Sequence, residues 1–132
     1  MLKPAAIGLV AAVLTSVFAW SSLDPDPLAF HAVALAAIGA VYAGFGLTDG
    51  RLGVAALEIT VATAFMGLAL AGLWAAPALV GVGLVVHGVW DLGHGPHRIT
   101  TRLPAWYPPF CAAYDFAFAA AFFLYAGRLA TL

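Results

Sequence analysis

Five nearly uninterrupted apolar runs divide the chain, at about residues 4–20, 28–47, 52–74, 78–93 and 110–125. Each approaches the ~20 apolar residues that a helix needs to cross a bilayer. The segments between them carry turn chemistry. Ser21–Pro27 (SSLDPDP) holds two Asp-Pro pairs, which push the backbone out of the helical region. Thr48-Asp49-Gly50-Arg51 is a short polar turn, Ala75-Ala76-Pro77 a very tight link, and Gly95-Pro96 a stop. The segment 97–108 is basic and aromatic, with Arg98, Arg102, Trp106 and Tyr107, as expected of an interfacial loop. Pro108-Pro109 opens the fifth run. The pattern predicts an all-α polytopic transmembrane bundle of five spans, forming one domain over residues 1–132. The first run also fits a cleaved signal peptide, since Val17 and Ala19 have the size wanted before a cleavage site; four spans then remain.

Polar residues that interrupt these runs carry the chemical information. His87, Asp91 and His94 follow one another at intervals of four and three, which puts them on one helical face. Glu58 lies about six residues into the third span and Asp115 about six into the fifth, so each sits ~9 Å below the same membrane surface. The fourth span runs the other way and brings Asp91 and His94 to that level, with His87 deeper. Three helices therefore deliver carboxyl and imidazole groups to a common depth. Unpaired ionised groups are costly in hydrocarbon, so these groups predict a shared polar site rather than a lipid-facing surface.

Composition supports the membrane reading. Of 132 residues, 64% are hydrophobic and 8% charged, too few charged groups to cover a water-facing surface. No basic run suggests nucleic acid. The net charge of −1 decides nothing, and the lone Cys111 excludes an intramolecular disulfide; its plain reading is a small buried apolar residue. Lys3, Arg51, Arg98 and Arg102 fall on one side of the five-span arrangement, and Arg128 with Asp24 and Asp26 on the other. The positive-inside rule then predicts a multi-pass protein of the cell membrane with a cytoplasmic N-terminus and the polar site in the cytoplasmic half. In the second span Ala32, Ala36, Ala40 and Gly44 recur every four residues, a stripe suited to close helix contact and to a homo-oligomer.

Two arrangements satisfy the buried groups. In the first, His87, Asp91 and His94 hold one divalent metal (zinc, iron or manganese), with Glu58 and Asp115 as further ligands or catalytic acid/base groups. In the second, the carboxylates and histidines form a proton relay. Plainer readings stand beside both. His87 and Asp91 form an i,i+4 pair that could do no more than join helices, and His97 suits phosphate headgroups. His31 reads as interfacial, Asp49 with Arg51 as a solvated turn, and Gly81, Gly83 and Gly88 as close-contact positions. Tyr42, Trp90, Tyr107 and Tyr114 are candidates to line the cavity. Asp91-x-x-His94 occurs once, so a dinuclear carboxylate-bridged centre lacks its second half.

Val41-Tyr42-Ala43-Gly44-Phe45 ahead of Asp49-Gly50-Arg51, the single Glu58, His87-x-x-Trp90-Asp91-x-x-His94, and Trp106-Tyr107-Pro108-Pro109-Phe110-Cys111 followed by Asp115 form a recognisable set. Over Leu28 to Tyr125 the chain resembles small, functionally uncharacterised bacterial integral membrane proteins, a resemblance that implies no activity. The leading functional expectation is a metal-binding or acid/base enzyme acting on a lipidic small molecule that arrives from the bilayer. A proton- or ion-coupled transport component comes second, and a structural or assembly subunit of a membrane complex third.

Overall fold

In the computed structural model the described residues form five helices: α1 (Leu2–Ser22), α2 (Pro27–Thr48), α3 (Leu52–Trp74), α4 (Ala78–Leu92) and α5 (Tyr107–Leu129). The structure describes residues 2–22, 27–94 and 100–129, so Asp24, Asp26, His97 and Arg98 lie outside the described residues. No strand occurs among the described residues. Among the described residues four helices are long and apolar enough to cross a membrane; α4, with 15 residues, is shorter. At 1.5 Å per residue α4 covers ~22 Å, less than the ~30 Å hydrocarbon thickness.

Helix ends follow local chemistry. Gly50, with φ 82°, makes the α2–α3 turn in a left-handed conformation that favours glycine. The Ala75 N–H closes α3 on the Ala71 carbonyl, and Pro77 then precedes α4. The fifth helix starts at Tyr107, three residues ahead of the apolar run, and takes Pro108 and Pro109 into its first turn. Proline is tolerated there because the first-turn N–H groups have no intrahelical acceptor to lose.

The main contacts pair α2 with α3, α1 with α5 and α4 with α5, while α1 barely touches its sequence neighbour α2. Leu35, Phe65, Val80, Leu84, Phe118 and Phe122 form the centre of the core. Small residues decide which faces meet. On α1, Gly8, Ala12, Ser16 and Ala19 are buried, and a Cβ on Gly8 would lie 2.2 Å from the Phe110 carbonyl oxygen of α5. Gly81, Gly83 and Gly88 of α4 admit Phe123, Leu35 and Phe116, so all three serve helix contact. The Ala32 to Gly44 stripe divides: Ala32 is buried, Ala36 is half-buried, and Ala40 and Gly44 are exposed.

The outer surface is apolar on every helix, with Val10, Val33, Ile59, Met66, Val89 and Leu124 among the exposed side chains. Exposed hydroxyls on that surface are satisfied inside their own helix: Thr60 and Thr63 each donate at 2.8 Å to the carbonyl four residues earlier. His31 departs from its interfacial expectation. It is fully buried, stacked 4.2 Å from Phe118, with Nδ1–H donating to the Pro27 carbonyl. A neutral imidazole with one nitrogen bonded to its own helix packs as an aromatic ring, which is how it enters an apolar core.

Candidate functional site

Polar side chains gather at the end of the bundle that holds the α2–α3 turn. Glu58 is six residues after the first residue of α3 and Asp115 eight after that of α5, or ~9 and ~12 Å along their helices. His87 and Asp91 occupy the closing turns of α4, and Tyr42 lies six residues before the end of α2. Glu58, Asp91, Asp115, His87 and Tyr42 are all at most 2% exposed. The groups form two clusters rather than one.

The first joins α2, α4 and α5. His87 Nδ1 lies 2.6 Å from Asp115 Oδ2 and 3.6 Å from Asp91 Oδ1. The Tyr42 hydroxyl donates to Asp91 Oδ1, and the Asp91 and Asp115 carboxyls are within hydrogen-bonding reach of each other. One ligand atom from each of His87, Asp91 and Asp115 lies within 4.8 Å of the others. Asp91 Oδ2 and His87 Nε2 have no hydrogen-bond partner of ordinary geometry, although the imidazole also has a backbone contact with Ile38. Two carboxyl groups this close, away from water, call for a proton or a cation between them.

The second cluster joins α3, His94 two residues beyond α4, and the segment leading to α5. His94 Nδ1 is 2.9 Å from the Trp90 carbonyl, and its Nε2 is 3.0 Å from Glu58 Oε1. The Thr101 backbone N–H donates to the same Oε1 at 2.9 Å. A carbonyl can only accept, so Nδ1 carries a hydrogen. A hydrogen bond between Nε2 and the carboxyl then needs one further proton, held by either partner. The Glu58–His94 pair is therefore a place where one proton is shared, and Glu58 Oε2 remains without a partner.

Tyr42 lies between the two clusters, its ring 4.5 Å from that of His94 and 5.4 Å from that of His87. Tyr107 meets it edge-on at 6.2 Å. Trp90 packs at 5.2 Å on His94. Tyr114 instead bonds Thr15 of α1 and takes no part. Cys111, half-buried, contacts Tyr107.

At the rim, the segment 100–102 is fastened to the α2–α3 turn. Arg51 binds Asp49 through two nitrogens and donates to the Thr100 carbonyl at 3.0 Å. The Arg102 N–H donates to Asp49 Oδ2 at 3.1 Å. Hydrogen bonding from Arg51 holds the Asp49 carboxyl well below the usual carboxylate range, at about 2. This turn, expected to be merely solvated, thus anchors the strand of chain that presents the Thr101 N–H to Glu58.

Of the residues singled out from the sequence, His87 and Asp91 come together, with Asp115 as their third member. His94 is engaged by Glu58. His97 lies outside the described residues. Two contributors were not legible as such: the Thr101 N–H, a backbone group without a sequence signature, and the Tyr42 hydroxyl as the donor to Asp91. A hydroxyl-bearing residue at the depth of the buried acids, in an apolar span, was the available signal for the latter.

No curated protein and no solved structure matches this chain. Residues 1–128 match a family described as a family of unknown function (DUF6010), so nearly the whole bundle, both clusters included, is covered. The chain belongs to this family of unknown function.

Proposed function

We propose that the protein is an intramembrane acid/base enzyme that uses one divalent metal, zinc, iron or manganese, and acts on a hydrophobic ligand drawn from the bilayer. His87, Asp91 and Asp115 are the metal ligands in this reading, and the Glu58–His94 pair gives and takes the proton. The observation that carries it is the buried His87/Asp91/Asp115 group, whose three ligand atoms lie within 4.8 Å of one another. Metal bonds of ~2.0–2.2 Å keep ligand atoms within ~4.4 Å, so a contraction of a few tenths of an ångström suffices. Two carboxylates balance a divalent charge, and the mixed nitrogen and oxygen donors suit these three metals. When bound, the ion would polarise a carbonyl or phosphoryl oxygen of the ligand. Tyr42 orients Asp91 through its hydroxyl, as an outer hydrogen bond orients a ligating carboxylate.

Metal analysis of protein purified in lipid nanodiscs tests this. About one equivalent is expected, lost in His87→Ala and Asp115→Asn and kept in Glu58→Gln. Protein that is free of metal and takes up none from added zinc, manganese or iron ends the proposal.

A second reading, a proton-coupled transport component, draws on the proton shared by Glu58 and His94. It predicts pH-dependent flux in liposomes that Glu58→Gln abolishes, with no metal required.

A further inference from the structure

The His87/Asp91/Asp115 group and its tyrosine come from three helices, α2, α4 and α5, and helix packing closes only part of their surroundings. Helix α4 lies against both α2 and α5, whereas the main contacts of α5 are with α1 and α4, and α1 barely touches α2. The side between α2 and α5 is filled by side chains. Tyr107 of α5 meets Tyr42 there at 6.2 Å and Phe45 at 5.4 Å, both edge-on.

On α5 this side carries a polar stripe. Tyr107, Cys111 and Asp115 follow one another at intervals of four, which puts them on one helical face. Exposure falls along the stripe: Tyr107 and Cys111 are partly exposed and Asp115 is buried. Tyr107 is the first residue of α5, so the descent from there to Asp115 is ~12 Å. The Tyr107 hydroxyl is within hydrogen-bonding reach of the Cys111 sulfur, and Asp91 and Asp115 lie within electrostatic reach of both groups. At the foot of the stripe Asp91 is fully buried, and its Oδ2 has no hydrogen-bond partner.

We infer that water-borne cations reach the His87/Asp91/Asp115 group along the α2–α5 side, past Tyr107 and Cys111. A hydroxyl, a thiol and a carboxyl in file each offer lone pairs to a cation or its water, and none carries a positive charge. The paired acids below them favour cations over anions. Rotation of the part-exposed Tyr107 ring suffices for passage, because α2 and α5 have no extensive packed face to part. The inference rests on the proposed metal centre for its cargo but not for its test.

Cys111 is the single thiol of the chain, so the unaltered protein reports on this path. The protein in phosphatidylcholine nanodiscs, stripped of metal by a chelator, is reacted with methanethiosulfonates that carry an ammonium, a sulfonate or a methyl group, and the rates are read by mass spectrometry. The same thiolate attacks each reagent, so its abundance cancels from the ratios. A Trp74→Cys, Cys111→Ala protein supplies the reference ratio, with its thiol exposed at the far end of α3. The ratio of ammonium to sulfonate rates is expected to be several-fold higher at Cys111 than at the reference position. Equal ratios, which mean that the acids do not act on the approach, overturn the inference. So does reaction with the methyl reagent alone, which places Cys111 in hydrocarbon, and so does no reaction with any of them. Metal content is measured separately. Cation preference at Cys111 in a protein that takes up no metal upholds the path while the metal proposal fails; one metal per chain without that preference does the reverse.

Discussion

Replacing Glu58 by alanine removes the acceptor of two hydrogen bonds at a side chain with no exposure. The Thr101 N–H loses its partner inside the bundle, at a cost of ~1–3 kcal/mol. His94 Nε2 loses the carboxyl with which it shares a proton, and removing one member of a buried pair costs ~3–5 kcal/mol. These terms share one pocket and do not add fully. A loss of ~3–5 kcal/mol is the expected outcome, a large part of the ~5–15 kcal/mol that separates folded from unfolded states. Glu58→Gln makes a sharper comparison. Thr101 and His94 both meet Oε1, so the amide either accepts from Thr101 or donates to His94 Nε2 at that position, not both. One of the two bonds is lost, so Glu58→Gln should cost ~1–3 kcal/mol, less than Glu58→Ala. Reversible unfolding in mixed micelles of lipid and dodecyl sulfate measures both variants. A loss below ~1 kcal/mol for Glu58→Ala would refute the account of the second cluster. Equal damage from both variants would show that the bond kept by glutamine contributes nothing, and would refute the comparison.

Tyr42→Phe keeps the ring between the clusters and removes only the donor to Asp91. It should cost ~1.5–3 kcal/mol in the same unfolding assay, and under the metal proposal weaken metal affinity ~10–100-fold. Gly8→Leu places a side chain where even a Cβ would lie 2.2 Å from the Phe110 carbonyl; it should unseat α1 from α5, read as loss of cysteine crosslinking between these helices. Asp49 has its carboxyl at about 2 in the folded protein, below the ~3.9 of an unfolded aspartate. Its contribution is therefore present above pH ~4 and lost as the pH falls through about 2. An Asp49→Asn variant should differ from the parent at neutral pH and converge with it across that window, less steeply in molar salt because the pair lies at the rim.

The shared level of the polar residues could be read before any coordinates. Rise per residue is fixed in a helix, and successive spans reverse direction. Counting from the turns therefore places Glu58, Asp91, His94 and Asp115 near one membrane surface. What counting leaves open is azimuth. Asp115 turns toward His87 because Gly81 and Gly88 let α4 approach α5 on the face that carries Phe116 and Phe123. Glu58 turns toward His94 because α3 lies on α2 through Gly46, where a Cβ would sit 2.9 Å from the Glu58 side chain. The small-residue stripe of α2 shows the same limit. Its regular spacing was visible, yet Ala40 and Gly44 face outward, while α2 seats α3 through Gly39 and Gly46 instead.

By itself the sequence determined that the chain is all-helical and apolar, where most helices begin and end, and which ionisable groups are buried at one depth. These are one-dimensional properties, set by hydropathy, proline and glycine placement, and helical rise. Only the tertiary structure decided that the buried groups divide into a His87/Asp91/Asp115 cluster and a Glu58/His94 pair with Tyr42 between them. That division depends on how each helix is rotated against its neighbours, which is settled by close contacts between glycines and bulky side chains far apart in the chain. It also depends on a backbone N–H at Thr101, a group every residue but proline possesses, so position in space alone gives it a role.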